Sequence, residues 1–574
     1  MLKENLCLLL LILFVGCQVK EGSKRYDVLL NMVHHNPGEP HFETQYAEPA
    51  YIKAMGYTGQ VPKIEVQCGL TYDRWKDNVI PEKSDEKLWI ERHATEVKML
   101  IDIAEKSDMP LYPFTDVLVI PKTIMERYGS EMKVDDVSKM VVSSKYGEYE
   151  KTDGRLSIQR KRTQEILRAQ IDELFWRFPK LGGLTIRFGE TYTFDTPFHV
   201  GGKPAKTIEE HVILINLLKE EVCEKRDKKL FYRTWGYDGF HHPNPDFYLN
   251  VVNEIEPHPN LFFSIKHTNS DFLRDKPFNK SIGIGKHQQI VEISTNQAGM
   301  YGRHSHPYYI GKGIIEGWSI MHNNDNKGIR SLYNTSQVKG FWIWTWGDGW
   351  VGPYINNELW VNLNEYVIRN YTFYPQKSEE EIFNEYAANE LKLSKEDVKK
   401  FRELCSASEI AVYRGQYSEI FRTNVWWCRD QYLPALNLDH VVKNNIQEEV
   451  LAEKRENIKL WKKMEKLAYE ITIPDKSDDS FLKISTTYGR MKYEIIELIW
   501  KIQIILADQK INNKFDIKEA KATLKEFDYK WEEWTQLKKD NPDCPTLYEI
   551  HKAVYINIPP FQEAIDKLKA ITNK

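Results

Sequence analysis

The feature that most constrains the fold is a regular alternation of short apolar runs with amphipathic segments between residues 26 and 375. The runs have the length of buried strands, and the amphipathic segments predict helical crossovers. The runs are Asp27–Val33, Ile64–Cys68, Leu111–Ile120, Leu184–Phe188, Leu230–Trp235, Leu261–His267, Ile290–Thr295 and Phe341–Trp346. Eight strands that alternate with helices predict an α/β fold, a (β/α)8 TIM barrel over residues 26–375.

The segments between the runs carry helical periodicity. Apolar side chains recur every three or four residues, which places them on one face of a helix. Two such faces are formed by Val97, Leu100, Ile101 and Ala104, and by Leu167, Ile171, Leu174 and Phe175. These faces are expected to cover the outside of the barrel.

The pattern changes after about residue 376, where strand-like runs give way to charged amphipathic helices. One apolar stripe consists of Met491, Ile495, Leu498, Ile502 and Ile505, and another of Leu460, Met464 and Leu467. Stripes of this kind are packing faces of a helical bundle. Residues 376–574 are therefore predicted to form an all-helical C-terminal domain.

The N-terminus has the pattern of a bacterial lipoprotein signal. Lys3 precedes a continuous apolar run, Leu8–Val15, that is too short to span a bilayer. Gly16 and Cys17 follow it as in a lipobox, so residues 1–16 are predicted to be a signal peptide, Cys17 the lipidation site and residues 17–25 a tether. The expected location is the bacterial cell envelope, periplasmic or at the outer-membrane surface, with the lipid as the only membrane contact. The alternative is ordinary cleavage beside an incidental cysteine.

Composition and motifs exclude several functions. The 574 residues carry a formal net charge of −4 and no Lys/Arg block, which argues against nucleic acid as a partner. The seven cysteines form no CxxC pair, and no HExxH motif is present, so neither a metal nor another cofactor is expected. The 16 Trp, 31 Tyr and 24 Phe either fill a large core or provide flat rings for sugars.

Three carboxylates follow or end predicted strands, where a TIM barrel carries its chemistry. They are Glu190, Asp271 and Glu292. Cleavage of a glycosidic bond needs one protonated carboxyl group to donate to the leaving oxygen and one ionised carboxylate to activate water or attack carbon. Each candidate also has a structural alternative: a salt bridge to arginine for Glu190, a helix cap or loop position for Asp271, and an ion pair with Lys266 or Arg233 for Glu292.

Further polar and aromatic residues recur at the same strand ends and are candidates for substrate binding. They are His34, His35, Arg187, Arg233, Trp235, Lys266, Asn296, Trp346 and Asp348. The arginine and lysine side chains could pair with the carboxylate of a uronic acid. They could equally neutralise buried acids, and the sequence does not separate these uses.

Four stretches of the predicted barrel share a pattern with a known enzyme family. They are Gly183–Glu190 (GLTIRFGE), Tyr232–Trp235 (YRTW), Asn260–Phe272 (NLFFSIKHTNSDF) and Val291–Gln297 (VEISTNQ). They resemble the catalytic barrel of the α-glucuronidases of glycoside hydrolase family 67. The resemblance implies that Glu190 is the catalytic acid, that Asp271 is one of two base carboxylates, and that the reaction inverts the anomeric centre.

The chain departs from family 67 at the second base, where Ala298 stands in place of a glutamate six residues after Glu292. The favoured hypothesis is an exo-acting glycoside hydrolase that uses Glu190 as acid and Asp271, together with Glu292, as base on uronic-acid-containing oligosaccharides. The alternative is a glycan-binding lipoprotein on a decayed barrel, with Trp235, Trp344 and Trp346 as a stacking floor. A third possibility is an assembly protein that works through its helical domain.

Overall fold

The chain folds around a closed sheet of eight parallel strands, as predicted. A computed structural model describes residues 26–34, 43–133, 139–144, 147–152, 156–187, 196–201, 203–235, 243–270, 272–274, 276–295, 305–319, 327–347, 357–421, 438–542 and 560–573. The strands of the sheet are β1 (Val28–His34), β2 (Gly59–Gln60), β3 (Phe114–Asp116), β7 (Gly183–Arg187), β9 (Lys229–Arg233), β10 (Leu261–Lys266), β11 (Gln288–Ser294) and β12 (Val338–Gly347). Their spatial order is β2-β1-β12-β11-β10-β9-β7-β3.

The two outer strands of this order, β2 and β3, meet and close the barrel. Three backbone hydrogen bonds join them: Gln60 to the Pro110 carbonyl at 2.9 Å, Tyr112 to the Gln60 carbonyl at 2.8 Å, and Phe114 to the carbonyl of Pro62 at 3.0 Å. Because every strand is parallel, all eight C-terminal ends open at one mouth.

Seven of the eight predicted runs overlap a strand of the barrel, and the second prediction is wrong. Strand β2 is the two-residue segment Gly59–Gln60, and the apolar run Ile64–Cys68 leads into a 3-10 turn, Val66–Gly69. Gly59 is required because a Cβ there would overlap the Tyr112 ring. A strand of two residues has no apolar run of its own, so the apolar pattern predicts the strand at the neighbouring run, Ile64–Cys68, instead.

Helices follow the strands and cover the barrel. They are α1 (Pro49–Ala54), α2 (Asp85–Lys106), α3 (Lys122–Met132), α4 (Lys161–Arg177), α5 (Ile208–Leu218), α6 (Pro245–Val252), α7 (Gly311–Glu316) and α8 (Leu359–Phe373). Local sequence sets where they begin: Ser84 caps α2, and Thr207 with Glu210 forms a capping box on α5. Two small hairpins lie beside the main sheet, β4 (Ile120–Pro121) with β8 (His199–Val200), and β5 (Lys139–Ser144) with β6 (Gly147–Thr152).

The remainder of the described chain is helical. Its helices are α9 (Glu379–Glu385), α10 (Lys395–Gln416), α11 (Asp439–Lys443), α12 (Gln447–Glu470), α13 (Lys476–Asn512), α14 (Ile517–Asp540) and α15 (Pro560–Thr572). The predicted stripe on α13 is a packing face, since Ile495, Leu498 and Ile502 are buried. Within the described residues, no helix is long and apolar enough to cross a bilayer.

The helical region packs directly on the barrel. The indole nitrogen of Trp360 on α8 donates to the Ser485 hydroxyl of α13 at 3.1 Å. His306, which precedes α7, is fully buried against Trp461 of α12 and Tyr493 of α13, with ring centroids 5.3 and 5.5 Å away. The junction is therefore a packed contact rather than a linker.

Side chains alternate along each barrel strand between the interior and the helices. The interior cluster consists of Val28, Leu30, Met32, Val61, Tyr112, Phe114, Phe231, Phe262, Phe272, Ile290, Trp342 and Trp344. Residues between them, such as Leu29, Phe263 and Phe341, join the larger core beneath the helices. This period of two decides which strand-end side chains enter the mouth of the barrel.

Candidate active site at the barrel mouth

The same period of two carries five of the predicted residues into the barrel interior. Arg187, Arg233, Lys266 and Glu292 each lie two residues beyond an inward-facing position of their strand, and His34 lies two beyond Met32. Phe114 on β3 brings Asp116 inward in the same way. The strand-end residues on these six strands therefore converge.

Asp116 and Arg187 form the first buried ion pair. They are direct neighbours in the pairing of β3 with β7. The Arg187 guanidinium donates from Nε to Asp116 Oδ1 at 2.5 Å and from a terminal nitrogen to Oδ2. Both side chains are almost fully buried. Such a bidentate pair fixes the guanidinium in one orientation.

Arg233 and Glu292 form the second. Arg233 Nε lies 2.8 Å from Glu292 Oε1, and a terminal nitrogen lies 2.7 Å from Oε2. Ser264, on the strand between them, donates to Oε1 at 2.9 Å. Glu292 is 0% exposed. This is the ion pair with Arg233 that the sequence offered as the structural alternative, and a role for Glu292 as base stays a prediction.

Phe114 lies between the two arginine pairs at the floor of the mouth. The guanidinium carbons of Arg187 and Arg233 are each 4.9 Å from its ring centroid. Arg233 also lies 5.2 Å from the Trp342 ring and 5.4 Å from that of Trp344. Cation–π attraction adds to the two ion pairs and holds both cations in a desolvated layer.

Lys266 and His34 complete this layer. The Lys266 ammonium lies 3.9 Å from the Trp235 ring centroid, 4.4 Å from that of Phe272 and 5.5 Å from that of Trp344. The imidazole of His34 stacks on Trp344, with centroids 5.0 Å apart. The aromatic residues thus hold cations here, a use that the sequence analysis did not consider beside core packing and sugar stacking.

Glu358, which is hydrogen-bonded to Trp346, is an acid that the sequence analysis missed. The carboxylate of Glu358, which precedes α8, accepts hydrogen bonds from the Trp346 indole and from the Thr44 hydroxyl. Burial raises the pKa of Glu358 above its usual value. Glu358 was missed because it stands at the start of a helix, twelve positions after Trp346.

Glu65 is the second acid that the sequence analysis missed. It follows β2 and retains partial solvent exposure, whereas Asp116 and Arg187 beside it are buried. Its Oε2 accepts a hydrogen bond from Gln67 Nε2 at 2.6 Å. Burial, followed by the charge of Asp116, raises the pKa of Glu65 to about 7, although Arg187 and Lys63 act in the opposite direction. Glu65 lies inside the wrongly predicted second strand, and it was therefore not recognised as a strand-end residue.

Several predicted residues lie outside the described residues. They are Cys17, His35, Glu190, Asp271, Asn296 and Asp348, together with Ala298. Glu190 follows β7 by three positions, and Asp271 follows β10 by five. Their roles stay predictions.

The described part of the mouth supplies carboxyl groups of two kinds. Asp116 and Glu292 are ionic partners of arginine, and Glu65 and Glu358 have raised pKa values that favour the protonated form. Acid–base chemistry on a glycosidic bond needs carboxyl groups in different surroundings. Among the described residues, no cluster of three or more His, Cys, Asp or Glu side chains could hold a metal ion.

Comparison with known proteins supports the fold at great sequence distance. No protein-family model and no curated protein sequence matches the chain, so the resemblance to family 67 stays a prediction. A GH138 enzyme targeting pectin rhamnogalacturonan II aligns with a TM-score of 0.56 at 10% identity, over 96% of this chain and 84% of that one.

Two other solved structures align with lower scores. An O-GlcNAc hydrolase of Thermobaculum terrenum has a TM-score of 0.36 at 11% identity, over 96% of both chains. A chitobiase of Flavobacterium johnsoniae has a TM-score of 0.34 at 12% identity, over 95% of this chain and 78% of that one. All three are glycoside hydrolases, and the alignment with the GH138 enzyme supports the fold. The chain has a TIM-barrel fold similar to that of this GH138 enzyme, followed by a helical region.

Proposed function

We propose that this protein is a glycoside hydrolase that releases a terminal sugar from uronic-acid-containing oligosaccharides. The observation that carries the proposal is the layer of three cations at the mouth: Arg187, Arg233 and Lys266 are held side by side by carboxylates and aromatic rings. Its three cations outnumber the two carboxylates that pair with its arginines, so the layer suits an anionic sugar. The similarity to an enzyme that targets a pectin supports the same substrate class.

In the proposed mechanism Glu190 donates a proton to the leaving glycosidic oxygen. Asp271 takes the proton of the attacking water, so that the C–O bond of the sugar breaks as the new one forms. A separation of about 6.5–9.5 Å between the two carboxyl groups leaves room for that water and inverts the anomeric centre. Glu292, bound to Arg233 and Ser264, keeps the cation next to it in place.

A specific observation favours a second candidate function. Glu292 is fully buried and engaged on both oxygens, and Ala298 replaces the second glutamate. If Asp271 alone does not serve as base, the protein is a glycan-binding lipoprotein that does no chemistry. In either case Cys17 would carry the lipid that keeps the protein at the bacterial cell envelope.

The two candidates are separated by a release assay. Wild type, Glu190→Gln and Asp271→Asn are incubated with uronic-acid-containing oligosaccharides and with the same oligosaccharides after reduction of the carboxyl group. Mass spectrometry then identifies any released monosaccharide. Glu456→Gln, an exposed acid on α12, serves as the matched control. Release by wild type and control only, and only from the uronate form, supports the hydrolase. Saturable binding without release by any variant supports the binding protein.

A further inference from the structure

Glu65 differs from Asp116 and Glu292, the two arginine-bound carboxylates of the mouth, in what its oxygens contact. Both oxygens of Asp116 accept from Arg187, and both oxygens of Glu292 accept from Arg233. The carboxyl group of Glu65 makes one side-chain hydrogen bond, from Gln67 to Oε2. Within the described part of the chain Oε1 has no partner, and it is not among the fully buried unpaired atoms. This oxygen is therefore available to a ligand.

The backbone around Glu65 holds this carboxyl group at the mouth. His93 on α2 donates from Nε2 to the Glu65 carbonyl at 2.9 Å. The 3-10 turn that follows places Gln67, which is fully buried, under the carboxyl group. Glu65 is thus fixed on both sides, next to the closure of the barrel between β2 and β3.

The charges around Glu65 determine which ligand it favours. The charged or titratable groups that adjoin it are Lys63 on its own segment, Cys68 on the following turn, His93 on α2, Asp116 on β3 and Arg187 on β7. An ionised Glu65 would repel an anionic sugar that approaches Arg187. A protonated Glu65 would instead donate a hydrogen bond to it, because a neutral carboxyl group carries one O–H donor.

We propose that Glu65 is a substrate-binding residue that, in its protonated form, donates a hydrogen bond from Oε1 to the carboxylate of a uronic acid held beside Arg187. This inference rests on the proposed function for the class of substrate, and it adds the residue that makes uronate binding depend on pH. Glu65 transfers no proton to the glycosidic oxygen in this scheme.

The expected size of the effect follows from the protonated fraction of Glu65. Apparent affinity scales with the fraction of protein in the binding-competent state. With a pKa of about 7, most Glu65 side chains are protonated at pH 6 and about one in ten at pH 8. The sugar carboxylate stays ionised over this range. Binding of a uronate should therefore weaken about tenfold from pH 6 to pH 8.

The test measures the Kd of D-glucuronic acid and of D-galacturonic acid by tryptophan fluorescence and calorimetry at pH 6 and pH 8. Wild type and the control Glu456→Gln should both show the tenfold loss for at least one uronate. Glu65→Gln, which is uncharged and still a donor, should bind as tightly at pH 8 as wild type does at pH 6. Glu65→Ala should bind about tenfold more weakly than wild type at pH 6.

Kinetics distinguish binding from proton transfer. On the substrate that wild type cleaves, Glu65→Gln should remove the rise of KM above pH 7 that wild type and Glu456→Gln show. A loss of kcat of a hundredfold or more in Glu65→Gln would overturn the proposal in favour of general acid catalysis. Persistence of the pH dependence in Glu65→Gln would overturn it as well. If neither uronate binds wild type at pH 6, both this inference and the proposed substrate class are wrong.

Discussion

The buried pair of Arg233 and Glu292 allows a direct test of whether Glu292 is a structural partner of Arg233. If Glu292 is an anchor for the cationic layer, removing its partner must destabilise the barrel. Arg233→Met leaves a fully buried carboxylate with one remaining hydrogen bond, from Ser264 at 2.9 Å. The double variant Arg233→Met with Glu292→Met removes both charges and leaves a pair of apolar side chains of similar bulk.

The magnitude follows from the lost contacts. Two hydrogen bonds between charged groups disappear, at 2.8 and 2.7 Å, and each contributes about 1.5–3 kcal/mol. Direct measurements on buried pairs give about 3–5 kcal/mol for loss of one partner and near neutrality for replacement of both. With an unfolding entropy of about 2.1 cal/mol/K per residue over roughly 350 barrel residues, 4 kcal/mol lowers Tm by about 5 °C.

The assay is thermal unfolding followed by near-ultraviolet circular dichroism, which reports on the tryptophans beside the pair. Arg233→Met should lower Tm by about 5 °C, and the double variant should recover most of it. Arg455→Met, which breaks an exposed pair with Glu448, is the control and should cost less than about 1 kcal/mol. A Tm for Arg233→Met within 1 °C of wild type would refute the anchor. A large loss of kcat in Glu292→Gln with unchanged Tm would instead support Glu292 as the base.

Three further predictions concern the rest of the molecule. Lys454 is buried, donates to the Arg414, Gly415 and Tyr417 carbonyls at the end of α10 and lies 4.0 Å from the Trp500 ring centroid. Lys454→Met should therefore lower the free energy of unfolding in urea by about 2–4 kcal/mol, whereas the exposed control Lys462→Met should change it little. The Cβ added by Gly489→Ala would overlap the Trp461 ring and lie 2.8 Å from His306 Cβ, so the free energy of unfolding in urea should fall by about 1–3 kcal/mol. The control Gly129→Ala, on a helix beside a flexible methionine, should not lower it. Burial lowers the pKa of His199 to about 3, and neither ring nitrogen has a hydrogen-bond partner in the described chain. Because unfolding takes up a proton between about pH 3 and 6.5, His199 should lower the free energy of unfolding by up to about 1.4 kcal/mol per pH unit as the pH falls through that window. His199→Leu should remove this contribution to the difference between unfolding at pH 5 and at pH 7.

The long-range architecture was predictable because it depends on patterns that repeat. Seven apolar runs and the helical stripes on α2, α4 and α13 each carry enough buried side chains to reveal their period. β2 could not be found in this way, since two residues have no period. Its place in the barrel is set instead by backbone pairing with β1 and β3 and by the lack of a side chain at Gly59.

The sequence predicts which strand-end positions belong to the candidate site, but it does not predict which of these side chains form ion pairs with one another. Arg233 and Glu292 are separated by 59 residues in the chain, and only the pairing of β9, β10 and β11 brings them to the two sides of Ser264. The sequence could not choose between Lys266 and Arg233 as the partner of Glu292, because strand spacing says nothing about register. Glu65 was hidden for a related reason, since its environment comes from β3 and β7 rather than from its own segment.

The closure of the barrel at β2 also has a mechanical consequence. The joint between β2 and β3 is a seam, because one of its two edges is a two-residue strand tied by three backbone hydrogen bonds. Glu65 stands on one side of this seam and Arg187, one strand beyond β3, on the other. A ligand held by both side chains would act as a cross-link over the seam, and at a concentration of one hundred times its Kd it would add about 2.7 kcal/mol of stability. Ligand binding and closure of the barrel between β2 and β3 would then be thermodynamically coupled.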